Sequence, residues 1–216
     1  MKNLKIVSFN IGSKYIPIKD NRKKQIITDF INEEDYDIVM LQGDNVSSNI
    51  NTKSLDYNST KFNNRVVTLY KDSLPLLGEL TYGGVCNVSL TNYARTFLAC
   101  ININLKNNNE VREMIEVCNK YGNYDSEYFV RNRVVAGKFP SGFNLQGFCN
   151  EMDLVDISSL IGKSYYDKND KEMLNHILIS KSLESEDVHK CIGIVDIAKV
   201  GEDYPIEASL TYKKIR

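Results

Sequence analysis

Val134–Asn144 reads "VVAGKFPSGFN". The uncharged run Val134–Gly137 has the character of a buried strand, and it stops at Lys138, Phe139 and Pro140, a proline being unable to donate to a sheet ladder. A strand that ends on an ammonium group sets a charge where the chain turns, and the rest of the sequence must say what that charge faces. Upstream, "NEVREMIEVCNKYG" sets Val111, Ile115 and Cys118 on one side of a helix that ends near Gly122. Ahead of that helix, "RTFLACININL" has strand character, as do "RVVTLYK" and "GVCNVSL" before it, and their spacing predicts hairpins or a meander.

The chain opens in the same manner. "LKIVSFNIG" is an apolar strand stopped at Asn10 and Gly12. Asn21–Asn32 then carries Ile26, Ile27, Phe30 and Ile31 at helical spacing with basic residues on the other face, and "YDIVMLQG" is a second strand closed by Gly43. Strand, helix and strand in this order form the crossover unit of an α/β sheet. Asn45 to Thr60 reads as a polar loop, and "ESEDVHK" as a charged connection with His189 facing solvent. "FCNEMDLVDISSLIG" predicts a short helix or turn plus a strand, and "LNHILIS", "GIVDIAKV" and "YPIEASLTYK" predict three more strands. Strands in two groups, each with one main helix, fit two packed sheets with helices outside.

The 216 residues suffice for one large domain, and no composition break divides 1–216 into two. A formal net charge of −1 gives no general case for binding a polyanion. The five cysteines are widely spaced, odd in number and without a C-x-x-C pair, so they predict small core hydrophobes in a reducing compartment rather than disulfides or a zinc ribbon. The apolar run at the N-terminus is too short for a signal-peptide core, and nothing later reaches membrane-spanning length, so the expectation is a soluble intracellular protein.

The order of these segments resembles the endonuclease/exonuclease/phosphatase superfamily, whose fold is shared by apurinic endonucleases, DNase I-like nucleases, sphingomyelinases and inositol phosphatases. "LKIVSFNIG" resembles the family's first strand with its Asn, and "YDIVMLQG" resembles the strand ending in Leu-Gln-Glu. "RTFLACININ" stands where the family has Asn-x-His, "VVAGKF" for Gly-Asp-Phe-Asn, "LNHILIS" for Asp-His-Ile-Leu-Val-Ser and "GEDYPIEASL" for Ser-Asp-His-x-Pro-Val. The resemblance implies a DNase I-like α/β (α+β) fold, a four-layer sandwich of two packed, mainly antiparallel or mixed sheets flanked by helices.

It also implies a chemistry of phosphodiester hydrolysis: a hard cation held by carboxylates, a water activated by a His that an Asp orients, and donors for the charge on the phosphoryl oxygens. Taken position by position, the resemblance places Asn10 and Asn102 where the family keeps Asn. Gly43 stands at the metal-binding Glu, with Asp44 one residue later. Asn104 stands at a His, Lys138 at an Asp, Pro140 at an Asn and Asn175 at an Asp, with His176 beside it. Glu202 falls near the metal-side Asp and Asp203 at the general base, where a carboxylate of reference pKa about 3.9 is a much weaker base than imidazole.

The remnant catalytic positions are therefore Asn10, Asn102, Asn104, Lys138, Asn175, His176 and Asp203. Any metal ligands would be Asn10, Asp44 and Glu202. Lys138 is expected either to pair with Glu202 and Asp203 or to contact a phosphate. The reading that follows is an inactive family-like protein with no cofactor that binds a protein or acts structurally; the alternative is a Mg²⁺- or Mn²⁺-dependent phosphodiesterase with rearranged ligands. A nucleic acid or phosphate ester is the other ligand class implied, and no membrane is.

Overall fold

The computed structural model describes residues 3–11, 20–61, 64–122, 132–165, 175–191 and 204–212. These build two six-stranded sheets packed face to face. The first contains β1 (Leu4–Asn10), β2 (Ile38–Gln42), β3 (Tyr57–Ser59), β4 (Val66–Lys71), β11 (Leu183–Lys190) and β12 (Ile206–Tyr212), in the order β11-β12-β1-β2-β4-β3. The second contains β5 (Leu76–Tyr82), β6 (Cys86–Tyr93), β7 (Thr96–Asn104), β8 (Arg133–Lys138), β9 (Leu154–Asp156) and β10 (Asn175–Ser180), in the order β5-β6-β7-β8-β10-β9. Each sheet holds one parallel pair, β1 with β2 and β7 with β8, and every other pairing is antiparallel.

Each parallel pair is joined by a helix, because parallel neighbours need a crossover rather than a hairpin. Helix α1 (Asp20–Glu34) follows β1 and lays Ile27, Phe30 and Ile31 on the outer face of the first sheet, where Phe30 meets Phe9 with ring centroids 6.0 Å apart and Tyr36 at 5.5 Å. Helix α2 (Asn108–Gly122) follows β7 and puts Val111 and Met114 on the outer face of the second sheet, beside Phe148 of α3 (Leu145–Glu151). Asn107 starts α2: its Oδ1 accepts from the backbone N–H groups of Asn109 at 3.0 Å and Glu110 at 3.1 Å, and Glu110 Oε2 accepts from Lys106 N–H at 2.7 Å. Helix, sheet, sheet and helix make the four layers.

The strand period of two divides every strand between two cores. Leu4, Ile6, Ile38, Met40, Cys100, Val134, Ala136, Ile177 and Ile179 face the other sheet, whereas Val7, Phe9, Val39 and Leu41 face α1 and Ile101, Val135 and Leu178 face α2 and α3. The described cysteines Cys86, Cys100, Cys149 and Cys191 are buried free thiols, as the sequence predicts. Among the described residues no helix is long and apolar enough to cross a membrane.

Three strands correct the sequence reading. The polar loop at Asn45–Thr60 contains two short 3-10 turns and β3, and the stretch ahead of "GVCNVSL" contains β5. "LESEDVHK" is the edge strand β11 rather than a connection, paired with β12 through a register shift between Ser185 and Asp187. Its charges left no apolar alternation to find, because an edge strand can face water on one side and along its free rim. Lys23 on α1, expected on the solvent face, is buried. The predicted strand "GIVDIAKV" lies outside the described residues.

Candidate functional site

The strand alternation that builds the inter-sheet core also aims the polar residues at the strand ends. Ser8 and Asn10 continue the Leu4/Ile6 face of β1, and Gln42 continues the Ile38/Met40 face of β2. Asn102 and Asn104 continue the Leu98/Cys100 face of β7, Lys138 the Val134/Ala136 face of β8, and Asn175 the Ile177/Ile179 face of β10. All of them look toward the space between the sheets.

At the level of Asn102 that space is closed. Gln42 Nε2 donates to Asn102 Oδ1 at 2.8 Å, to the Met40 carbonyl at 2.8 Å and to Ser8 Oγ at 3.2 Å. Asn102 Nδ2 donates to the carbonyls of Val67 at 2.8 Å and Leu41 at 3.2 Å, and Thr68 Oγ1 donates onward to Asn87 Oδ1 at 3.4 Å. Gln42, Thr68, Asn87 and Asn102 have no solvent exposure, so this network hydrogen-bonds the two sheets together. Gly137 permits the approach: it has φ +131°, and a Cβ there would lie 1.9 Å from the Ile103 carbonyl oxygen and 3.2 Å from Gln42 Cγ. Only glycine fits.

Two residues further along, a second row crosses the same sheet. Lys138 is in register with Asn104 on one side and with Asn175 on the other. The structure thus brings together three positions that are far apart in sequence and that the family resemblance marks as working residues. Asn104 and Asn175 are buried and Lys138 is half-buried. Asn175 Oδ1 is buried and has no hydrogen-bond partner among the described residues. Asn10 ends its strand in register with Gln42 across the parallel pair.

The remaining candidates are placed elsewhere. His176 alternates to the opposite face, where Nδ1 is 3.1 Å from Asp156 Oδ2 and the ring meets Phe139 edge-on at 5.8 Å. Gly43 has φ +147°, a backbone state that favours glycine over glutamate, so the chain turns away as it leaves β2. Asp44 follows it outward and pairs with Lys106 at 3.3 Å, the two side chains being 36% and 50% exposed. Glu202 and Asp203 lie outside the described residues, as does the pairing expected between either of them and Lys138.

The row Asn104–Lys138–Asn175 offers two amides and an ammonium group. The row itself holds no carboxylate, the main ligand of Mg²⁺ or Mn²⁺, and supplies only the two amide oxygens toward such an ion. The Lys138 ammonium is a hydrogen-bond donor of the kind that anions accept from.

Sequence reasoning did not single out Gln42, Thr68 or Asn87, although the alternation that marks Asn102 as inward-facing marks Gln42 as well. It also missed a cluster at the β11–β12 edge, where the ligand atoms of His189, Cys191 and Glu207 lie within 4.8 Å of one another. That cluster needed β11 to be recognised as a strand, because His189 stands opposite Glu207 in its register.

No family model matches the chain, and no curated protein matches it in sequence. Its fold is that of solved endonuclease/exonuclease/phosphatase proteins. One from Bacteroides vulgatus is 11% identical with a TM-score of 0.71, the match covering 99% of this chain and 100% of the other. The human Nocturnin catalytic domain with bound sulfate is 12% identical with a TM-score of 0.71, over 99% and 96%. TDP2 of D. rerio, solved with a single-strand DNA product, is 12% identical with a TM-score of 0.67, over 98% and 100%. The architecture expected from the order of motifs is the one observed: an α/β sandwich of two mixed sheets.

Proposed function

We propose that this endonuclease/exonuclease/phosphatase-like chain binds a ligand at the end of its sandwich marked by Asn104, Lys138 and Asn175 and does not hydrolyse phosphate esters. The observation that carries this reading is the Asn104–Lys138–Asn175 row. In the family, as the resemblance implies, those positions supply a His and two Asp. Here they supply an ammonium group between two amides, which supports recognition of an anion. A phosphate ester or an acidic group of a protein partner has the chemistry that Lys138 can recognise. TDP2 of this fold holds a single-strand DNA product and Nocturnin a sulfate, which supports a phosphate-bearing ligand for this chain as well.

The competing reading is a Mg²⁺- or Mn²⁺-dependent phosphodiesterase with ligands rearranged to Asn10, Asp44, Glu202 and Asp203. The fold favours it; the ion pair that holds Asp44 on Lys106 argues against it. Phosphodiesterase and phosphomonoesterase assays on abasic DNA, single-stranded DNA, RNA and inositol phosphates, with either metal, separate the two. No metal-dependent turnover is expected. Turnover that disappears in Glu202→Ala would overturn the binding reading.

A further inference from the structure

On the outer face of the first sheet, away from the row that carries the proposed function, three different donor types converge. Glu207 on β12 stands directly opposite His189 on β11, and His189 Nε2 lies 3.9 Å from Glu207 Oε1. Cys191 follows β11 and is tied to the chain ahead of β12 by its N–H, which donates to the Pro205 carbonyl at 3.0 Å. Its Sγ lies 4.0 Å from Glu207 Oε2. The backbone ladder therefore sets all three side chains before any ligand arrives.

We infer that His189, Cys191 and Glu207 form a binding site for one divalent transition-metal ion of the Zn²⁺ class. One imidazole, one thiolate and one carboxylate are the donor types that such an ion accepts, and three protein ligands leave a fourth tetrahedral position for water. Tetrahedral bonds of ordinary length put neighbouring ligand atoms about 3.5 Å apart, so the atoms need close by no more than roughly an ångström. His189 is already oriented to ligate through Nε2, because its Nδ1 lies 3.2 Å from Asp187 Oδ2, which leaves Nε2 toward Glu207. A carboxylate behind the imidazole is the usual way in which a metal-bound histidine is fixed. Tyr36 Oη donates to Glu207 Oε2 at 2.9 Å and steadies the carboxylate from the other side.

Access and charge are also provided for. Cys191 and Glu207 are buried, but the His189 side chain is 47% exposed, so an ion has a path in along the imidazole. Lys5 is the cation that now faces Glu207, its Nζ 3.5 Å from Oε1. Glu34 holds the same ammonium through its carboxylate at 3.3 Å and its carbonyl at 2.7 Å, so Lys5 keeps partners when a metal takes Glu207. Binding sends the thiol proton of Cys191 to solvent.

The test uses the whole chain, stripped with chelator and titrated with Zn²⁺ alone in competition with a chromophoric chelator. One equivalent should bind with a Kd below about 1 μM. Co²⁺ in its place should give a thiolate-to-cobalt charge-transfer band that Cys191→Ser abolishes. His189→Ala, a half-exposed side chain, should weaken Zn²⁺ at least tenfold and leave the melting temperature of the metal-free protein unchanged. Asp187→Asn, a positioning change, should weaken Zn²⁺ about tenfold and keep the cobalt band. Absence of stoichiometric Zn²⁺ binding, Co²⁺ binding without the band, or full affinity in His189→Ala would each overturn the site. None of these results bears on whether the chain hydrolyses phosphate esters.

Discussion

Two polar rows cross the same face of the second sheet two residues apart, and they have opposite chemistry. The inner one, at Asn102, is met by Gln42 and Thr68 from the other sheet and by Asn87 beside it, with hydrogen bonds that use up its amide. The outer one, at Asn104, Lys138 and Asn175, carries a charge and a buried carbonyl oxygen without a partner among the described residues. A buried acceptor left unpaired costs about 1–3 kcal/mol, so a chain that satisfied every atom in one row leaves in the next a place that an added donor would improve. The fully hydrogen-bonded interior of the sandwich therefore ends between those rows.

Gly137 is the largest lever on this comparison. Gly137→Ala puts a methyl group where the Ile103 carbonyl already is and forces β7 and β8 apart, so urea denaturation should show a loss of about 4 kcal/mol or more. A mild loss would mean that the two strands tolerate a wider gap and that the inner row is not tightly closed. Next in size is Asn102→Ala, which takes one hydrogen-bond partner each from Gln42 and from the carbonyls of Leu41 and Val67 in a dry interior. About 2–3 kcal/mol should be lost in the same experiment, and a smaller loss would remove the structural role given to this Asn.

The interior can also be tested without mutation. Burial pushes the thiol of Cys100 up to about 12, and burial followed by the charge of Asp156 pushes Cys149 up to about 11, from an ordinary value of 9.0. Above pH 9 the unfolded chain gives up these protons and the folded chain keeps them. The folded state then binds more protons than the unfolded one, so stability falls with rising pH. Urea midpoints measured from pH 8 to pH 11 should stay level to about pH 9 and decline beyond it. A flat profile across that range would show that the two thiols are not held in the dry core described.

Asn175→Ala is the counterpart of Asn102→Ala in the outer row. Removing an unpaired acceptor should leave stability level or raise it by about 1 kcal/mol, and a loss comparable to that of Asn102→Ala would erase the distinction between the rows. The smallest effect belongs to Asp44→Asn. Its pair with Lys106 is exposed and should contribute no more than about 0.5 kcal/mol, with no change in Mn²⁺ affinity. A measurable loss of Mn²⁺ binding would restore Asp44 as a metal ligand.

Most of the fold was legible because burial writes a period into sequence. β1, β2, β7, β8, β10 and β12 each carry a continuous or alternating apolar run, and α1 and α2 carry the helical one. β3, β5 and β11 did not, since all three are rim strands or pair on one side only. The row at Asn104, Lys138 and Asn175 was legible as three separate motif positions, but their alignment side by side depends on long-range register, which local periodicity cannot supply. The turn at Gly43 was invisible for a different reason: the sequence shows that a carboxylate is missing, and only the backbone, at φ +147°, shows that a side chain there would be strained. His176 read as a neighbour of the working position; a strand turns neighbours to opposite faces, and this one lies against Phe139 and Asp156.

The rims of the two sheets have a bearing on life at high concentration. β3 and β9 offer only three residues each, β5 is kinked where its register shifts between Leu76 and Gly78, and β11 is kinked between Ser185 and Asp187 and studded with acidic side chains. A second copy that tried to extend either sheet would find at each described rim a stub, a bend or a repelling charge. Among the described residues, fibril growth by strand addition therefore finds no flat template.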